Sequence, residues 1–175
     1  MKLILLSVIL SFLSGLGDRE TYIDRYKDLA VIEMNRKGIP ASIKLAQAIL
    51  ESQSGESQFA AQSKNHFGIK CKEDWRGNMY LHFDDDRDDS GELIESCFRS
   101  YDDVINSYVD HSNFLASREN YAALFNLSIT DYKGWAQGLQ DAGYATDPQY
   151  AKKLIKIIEH HGLDAYDRQE SIVAN

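Results

Sequence analysis

Residues 38 to 55 read Gly-Ile-Pro-Ala-Ser-Ile-Lys-Leu-Ala-Gln-Ala-Ile-Leu-Glu-Ser-Gln-Ser-Gly and constrain the fold more than any other stretch. Gly38, Ile39 and Pro40 start a helix, with Ala41 and Ser42 in its first turn. Leu45, Ala46, Ile49 and Leu50 recur at helical spacing with Ala48 alongside, so apolar surface covers most of the circumference. Such a helix has to lie inside a domain. Gly55 suits a chain reversal just beyond it. One carboxylate, Glu51, falls in the last turn, where the helix dipole and partial burial both disfavour ionisation. A carboxyl that keeps its proton near neutral pH serves as a general acid. A solvated glutamate at a helix end fits the same stretch equally well.

Residues 1 to 17 stand apart. A positive start at Met1-Lys2, an apolar run from Leu3 to Leu13 and the small residues Ser14, Gly15 and Gly17 have the layout of a signal peptide. The run is too short to span a bilayer comfortably, so the reading is a cleaved leader and export without stable membrane insertion, with an uncleaved anchor as the alternative. Residues 18 to 167 then make one domain with a real core, and 168 to 175 a tail with little to anchor it. Without Lys2, 18 basic against 27 acidic residues give a formal charge of −9. That balance argues against nucleic acid and anionic membranes as partners. The two cysteines, Cys71 and Cys97, lie in strand-like segments. In an exported chain they suit a disulfide across neighbouring strands, with two buried thiols as the alternative.

The periodicities predict helices over residues 20–37, 101–115, 119–127, 130–141 and 147–162, besides the one ending near Glu51. Thr130 is the expected cap of the fourth of these. Asp147 followed by Pro148 marks the start of the last, and Gly162 its end. Between the helical parts, Asn65 to Cys71, Met79 to Phe83 and Leu93 to Arg99 read as short strands, with a turn at Trp75-Arg-Gly-Asn78. Asp84 to Gly91 reads as an acidic loop. The expected class is mainly α (α+β), a helical lobe with a small antiparallel β lobe, and the junction between them is the default ligand groove.

Besides Glu51, three sites carry potential chemistry. The acidic loop offers Asp84, Asp85 and Asp86 as carboxylates opposite Glu51, or is a plain solvated turn. A calcium loop started at Asp86 places Cys97 at the twelfth position, where a bidentate glutamate belongs. Tyr144, between Gly143 and Ala145, either reaches a groove with its hydroxyl or packs on helix ends. His66 is a possible base, although a structural histidine is the commoner case. His160 and His161 suit a helix C-terminus. No metal site, cofactor motif, phosphate loop or serine elbow is present in the sequence.

Four ordered motifs, Leu45 to Ser52, Asn65 to Lys70, Phe98 to Tyr101 and Leu139 to Pro148 with Tyr150 to Leu154, resemble the glucosaminidase domain of glycoside hydrolase family 73. That family includes peptidoglycan-cleaving autolysins and the hydrolase domain of flagellar rod assembly proteins. The resemblance spans about residues 22 to 162 and implies a lysozyme-like fold that hydrolyses the β-1,4 bond after N-acetylglucosamine in peptidoglycan. It places the general acid on Glu51 and an assisting tyrosine on Tyr144. The second carboxylate has no matching glutamate, which leaves Asp84, Asp85 and Asp86. Gln47, Asn65, Phe67 and Trp135 are expected to contact substrate, and Trp75 is a further aromatic beside the motifs. The implied partner is the glycan strand, met by a monomer. A wall-binding module without turnover and a lytic transglycosylase are the rival readings.

Overall fold

The computed structural model describes residues 3–73 and 75–169, with side chains from residue 19 onward except that of Asp85. Helix α1, Leu3–Lys37, continues the helix expected over residues 20–37 back into the apolar leader. Most of the expected tail, residues 170–175, lies outside the described residues, while Arg168 ends a 3₁₀ turn.

Helix α2, Ala41–Ser52, is the centre of the molecule. Every residue from Ala41 to Ile49 is buried, as its near-continuous apolar surface requires. Against it pack α1, α5 (Tyr132–Asp141), α6 (Tyr150–His161) and the 3₁₀ turn Leu163–Arg168. Its N-terminal residue Pro40 offers no side-chain cap. Asp167 supplies one from the other end of the chain, accepting bonds from the Ser42 amide at 2.8 Å and hydroxyl at 2.6 Å. A carboxylate there also meets the positive end of the helix dipole.

Two further caps differ from expectation. Asp131, not Thr130, caps α5 by accepting the Gly134 amide at 3.0 Å. Asp147 forms a turn ahead of the helix instead of capping it: its side chain accepts from the Gln149 amide and its carbonyl from Tyr150, so α6 starts at Tyr150, two residues later than expected. Helix α3, Gln58–Ser63, and helix α4, Val104–Ser117, flank the β lobe, and residues Glu119–Asn126 form a 3₁₀ helix.

The β lobe is an antiparallel hairpin of β1, Met79–Arg87, and β2, Leu93–Arg99. Residues 69–71 add a short third pairing to β2, through the Lys70–Phe98 bridge and the Cys71 amide to the Cys97 carbonyl at 2.8 Å. A Cys71–Cys97 disulfide ties this edge, with Cα atoms 5.3 Å apart. The first half of the acidic segment, Asp84 to Arg87, is strand, and only Asp88 to Gly91 is loop. Register holds from Met79–Arg99 to Phe83–Glu95 and resumes at Arg87–Leu93, so Asp84 to Asp86 form a bulge opposite Ile94. Tyr80, His82 and Phe98 face Phe59 of α3, which seats the hairpin on the helical lobe and turns the bulge toward the end of α2.

Candidate active site

Glu51 sits in the last turn of α2, half-buried. The chain leaves that turn through three successive left-handed residues, Gln53 (φ 52°), Ser54 (φ 60°) and Gly55 (φ 82°), which reverses it before it can cover the carboxyl. Tyr150, the first residue of α6, donates from its hydroxyl to Glu51 Oε1 at 2.8 Å. Gln47, one helical turn before Glu51, donates to the Tyr150 oxygen at 3.1 Å. Burial raises the Glu51 pKa to about 7, opposed by the Tyr150 bond and Lys153 and reinforced by the negative charge of Asp84. A carboxyl balanced near neutrality and fixed by one hydrogen bond has the properties of a proton donor.

Glu51 opens into a groove of about 560 Å³ between the lobes, walled by Lys70 and Asp84 on one side and by Arg118, Tyr121 and Tyr144 on the other. Tyr144 leaves the α5–α6 connection after Gly143 (φ 74°). Its ring stacks on Tyr150 at 5.6 Å, and its hydroxyl donates to the Phe67 carbonyl at 3.2 Å. The two tyrosines therefore form one slab beside the carboxyl, one holding Glu51 and the other holding the turn at Phe67.

The three aspartates separate. Asp84 lines the groove and acts electrostatically on Glu51. Asp86 is tied down by Lys70 Nζ at 2.7 Å and by the Ser96 hydroxyl, which hold its carboxyl below the usual range. The Asp85 side chain lies outside the described residues. Lys70 also reaches Asp84 at 3.0 Å, so one lysine sets the position of both carboxylates.

The expected substrate contacts separate by burial. Trp135 is fully buried in the core, edge-on to Phe125. Phe67 lines the groove, with its ring stacked on buried His111 at 4.0 Å and its carbonyl accepting from Tyr144. Asn65 is fully buried and donates to the Ile69 and Arg99 carbonyls at 3.0 and 2.9 Å, so it clamps the turn to the β lobe. Gln47 is fully buried and meets Glu51 through Tyr150. Packed inside, Trp135, Asn65 and Gln47 support the groove from behind. Trp75 carries the Arg99 guanidinium 4.6 Å from its ring. His66 is buried and shares a hydrogen bond with the Tyr22 hydroxyl at 2.7 Å; burial lowers its pKa to about 4, and it does not line the Glu51 groove.

Several participants escaped the sequence reading. Tyr150 looked like one member of the α6 apolar stripe, and only its spacing from Tyr144 hinted otherwise. Lys44, on the buried face of α2, reaches His111 Nδ1 at 2.9 Å and the Tyr108 carbonyl at 3.2 Å; burial lowers its pKa to about 7.

The glucosaminidase family model, described as mannosyl-glycoprotein endo-beta-N-acetylglucosaminidase, matches residues 27–163. The exo-glucosaminidase LytG of Bacillus subtilis is 33% identical over 158 residues, covering 87% of this chain and 55% of that protein. The peptidoglycan hydrolase FlgJ of Escherichia coli K12 is 32% identical over 149 residues, covering 82% and 47%. The chain thus spans about half the length of these relatives. Among solved structures, the catalytic domain of the Listeria monocytogenes autolysin Auto superposes with a TM-score of 0.70 at 28% identity, covering 85% of this chain and 87% of that one. The glycoside hydrolase domain of Salmonella typhimurium FlgJ gives 0.64 at 28%, covering 84% and 90%.

Proposed function

As the chain belongs to the glucosaminidase family of glycoside hydrolases, we propose that it is an exported endo-β-N-acetylglucosaminidase cleaving β-1,4 bonds of bacterial peptidoglycan. The carrying observation is a half-buried Glu51 with a pKa of about 7, hydrogen-bonded by Tyr150 in a groove that also exposes Asp84. Glu51 protonates the glycosidic oxygen as the bond breaks. Asp84, paired with Lys70, stabilises positive charge at the anomeric carbon or activates the attacking water. Tyr144 borders the anomeric centre and exchanges its bond to the Phe67 carbonyl for one to the sugar. The leader over residues 1 to 17 supports export, and relatives named as peptidoglycan hydrolases support the substrate.

Glu51→Gln leaves the fold intact and lowers release of soluble muropeptides from purified sacculi by about 10²–10⁴-fold. Near wild-type release by that variant overturns the assignment. Mass spectrometry of the fragments checks the bond: N-acetylglucosamine at new reducing ends is expected, whereas 1,6-anhydro sugars indicate a transglycosylase. The pairing of Lys70 with both Asp84 and Asp86 favours one second reading, a groove that binds wall without turnover. Protein that pellets with sacculi and releases nothing selects it.

A further inference from the structure

The helical wall of the groove holds a cation whose role the hydrolytic residues leave unexplained. Arg118 occupies the extended position (φ −107°, ψ 130°) between α4 and the 3₁₀ helix at Glu119, held by a helix on each side. Its guanidinium lies over the Phe114 ring, 4.4 Å from the centroid. Both residues line the groove with Glu51. Arg118 Nε is buried with no hydrogen-bond partner. Arg99 Nε is likewise buried without a partner, but the Arg99 guanidinium meets Asp110 through Nη1; Arg36 and Arg168 also meet carboxylates, Glu33 and Asp164. Lys70, across the groove, is engaged by Asp84 and Asp86. Leaving part of a buried charged group unsatisfied is costly, and a planar fork pre-oriented by a ring contact matches a carboxylate bidentately.

We propose that Arg118 is a specificity-determining residue that recognises a carboxylate carried by the glycan strand. The proposal rests on the groove's being a glycan site. The β-lobe side of the groove carries Asp84 together with Lys70 and Lys72, and Arg118 is the cation of the facing helical wall, where an anionic substituent is received clear of the Glu51 and Asp84 carboxylates. Arg118 therefore fixes the direction in which a strand lies across the acid. Two sources share this chemistry: free carboxylates of the peptide stems, and the lactyl carboxylate that stem removal exposes.

The test is binding to soluble peptidoglycan strands by Glu51→Gln protein, which holds them without turnover. Three strands are compared: stem-bearing, stem-bearing with carboxylates converted to carboxamides, and stem-free. At least one carboxylate-bearing form binds about tenfold tighter than the carboxamide form, and whichever does identifies the source. Adding Arg118→Gln removes the difference, while Arg118→Lys, which keeps charge and loses the fork, retains a minor part of it. Thermal melts of both variants report folding, and the lysine variant carries the test if the glutamine variant does not fold. Equal binding of all three strands overturns the proposal, as does discrimination that survives loss of the guanidinium. Discrimination by the Glu51→Gln protein with no fragment release by the wild-type protein overturns hydrolysis alone, and wild-type fragment release without discrimination overturns the Arg118 assignment alone.

Discussion

Four influences of known sign act on the Glu51 carboxyl, and the three polar ones can be removed singly. Burial raises its pKa; the Tyr150 hydroxyl, by donating to the ionised form, lowers it; the charge of Asp84 raises it and that of Lys153 lowers it. Tyr150→Phe should therefore move the Glu51 titration above about 7, and Asp84→Asn should move it below. Side-chain carboxyl NMR reads this without relying on activity, and shifts in the same direction for both variants would refute the arrangement. Where the variants retain turnover, the alkaline limb of kcat/KM follows the same displacements, because that limb reports loss of the acid's proton. Lys44 makes a different residue-scale case. Fully buried beneath Phe67, with Nζ on His111 and 5.2 Å from the Phe67 ring centroid, it underlies the turn whose carbonyl Tyr144 grips. From the sequence it was one lysine on an otherwise apolar helix, with nothing to reveal the histidine 67 positions later in the chain.

At the level of elements, the helices were legible because burial of α2 demands apolar residues at 3.6-residue spacing, and Gly38, Pro40 and Gly162 punctuate the chain locally. The caps were legible only where they are local. Thr130 and Asp131 both satisfy a capping pattern, and geometry chose Asp131. The Asp167 cap of α2 spans 125 residues, so no local window contains it. Asp167→Ala should cost about 1–2 kcal/mol in urea unfolding, with Asp167→Asn costing less because its amide oxygen still accepts the Ser42 amide. The bulge at Asp84 to Asp86 also evaded the sequence. Three consecutive aspartates read as loop, and only pairing with β2 and the anchoring of Asp86 by Lys70 and Ser96 keep them in the strand. The disulfide closes a 26-residue separation, so its removal by paired Cys71→Ser and Cys97→Ser changes should destabilise by about 3 kcal/mol. Hydrogen exchange should then accelerate at β1 and β2 before it does in α2.

For the whole molecule, the buried ionisable groups pull stability in opposite directions as pH changes. Glu51 at about 7 and Asp167 at about 6 hold protons in the folded state that the unfolded chain releases near pH 4, so each lowers stability as pH rises toward its folded value. His66, lowered to about 4, works the other way: the unfolded chain binds its proton below about 6.5, so folding gains as pH rises from 4 to 6.5. Lys44, at about 7, adds stability from there upward. The wild-type profile is accordingly shallow, and difference curves are informative. Glu51→Gln should gain stability over wild type progressively between about pH 4.5 and 7 and hold that gain above. Tm measured across pH checks this, and a gain already complete at pH 4 would contradict it.

The tie between Ser42 and Asp167 also has a consequence in time. A ribosome makes α2 early and Asp167 some 125 residues later, so the helix bearing Glu51 stays uncapped at its N-terminus until almost the whole domain has emerged. A chain that stops short of Asp167 carries Glu51 on a helix that α1 already holds along its side but that has no fastening at its first turn.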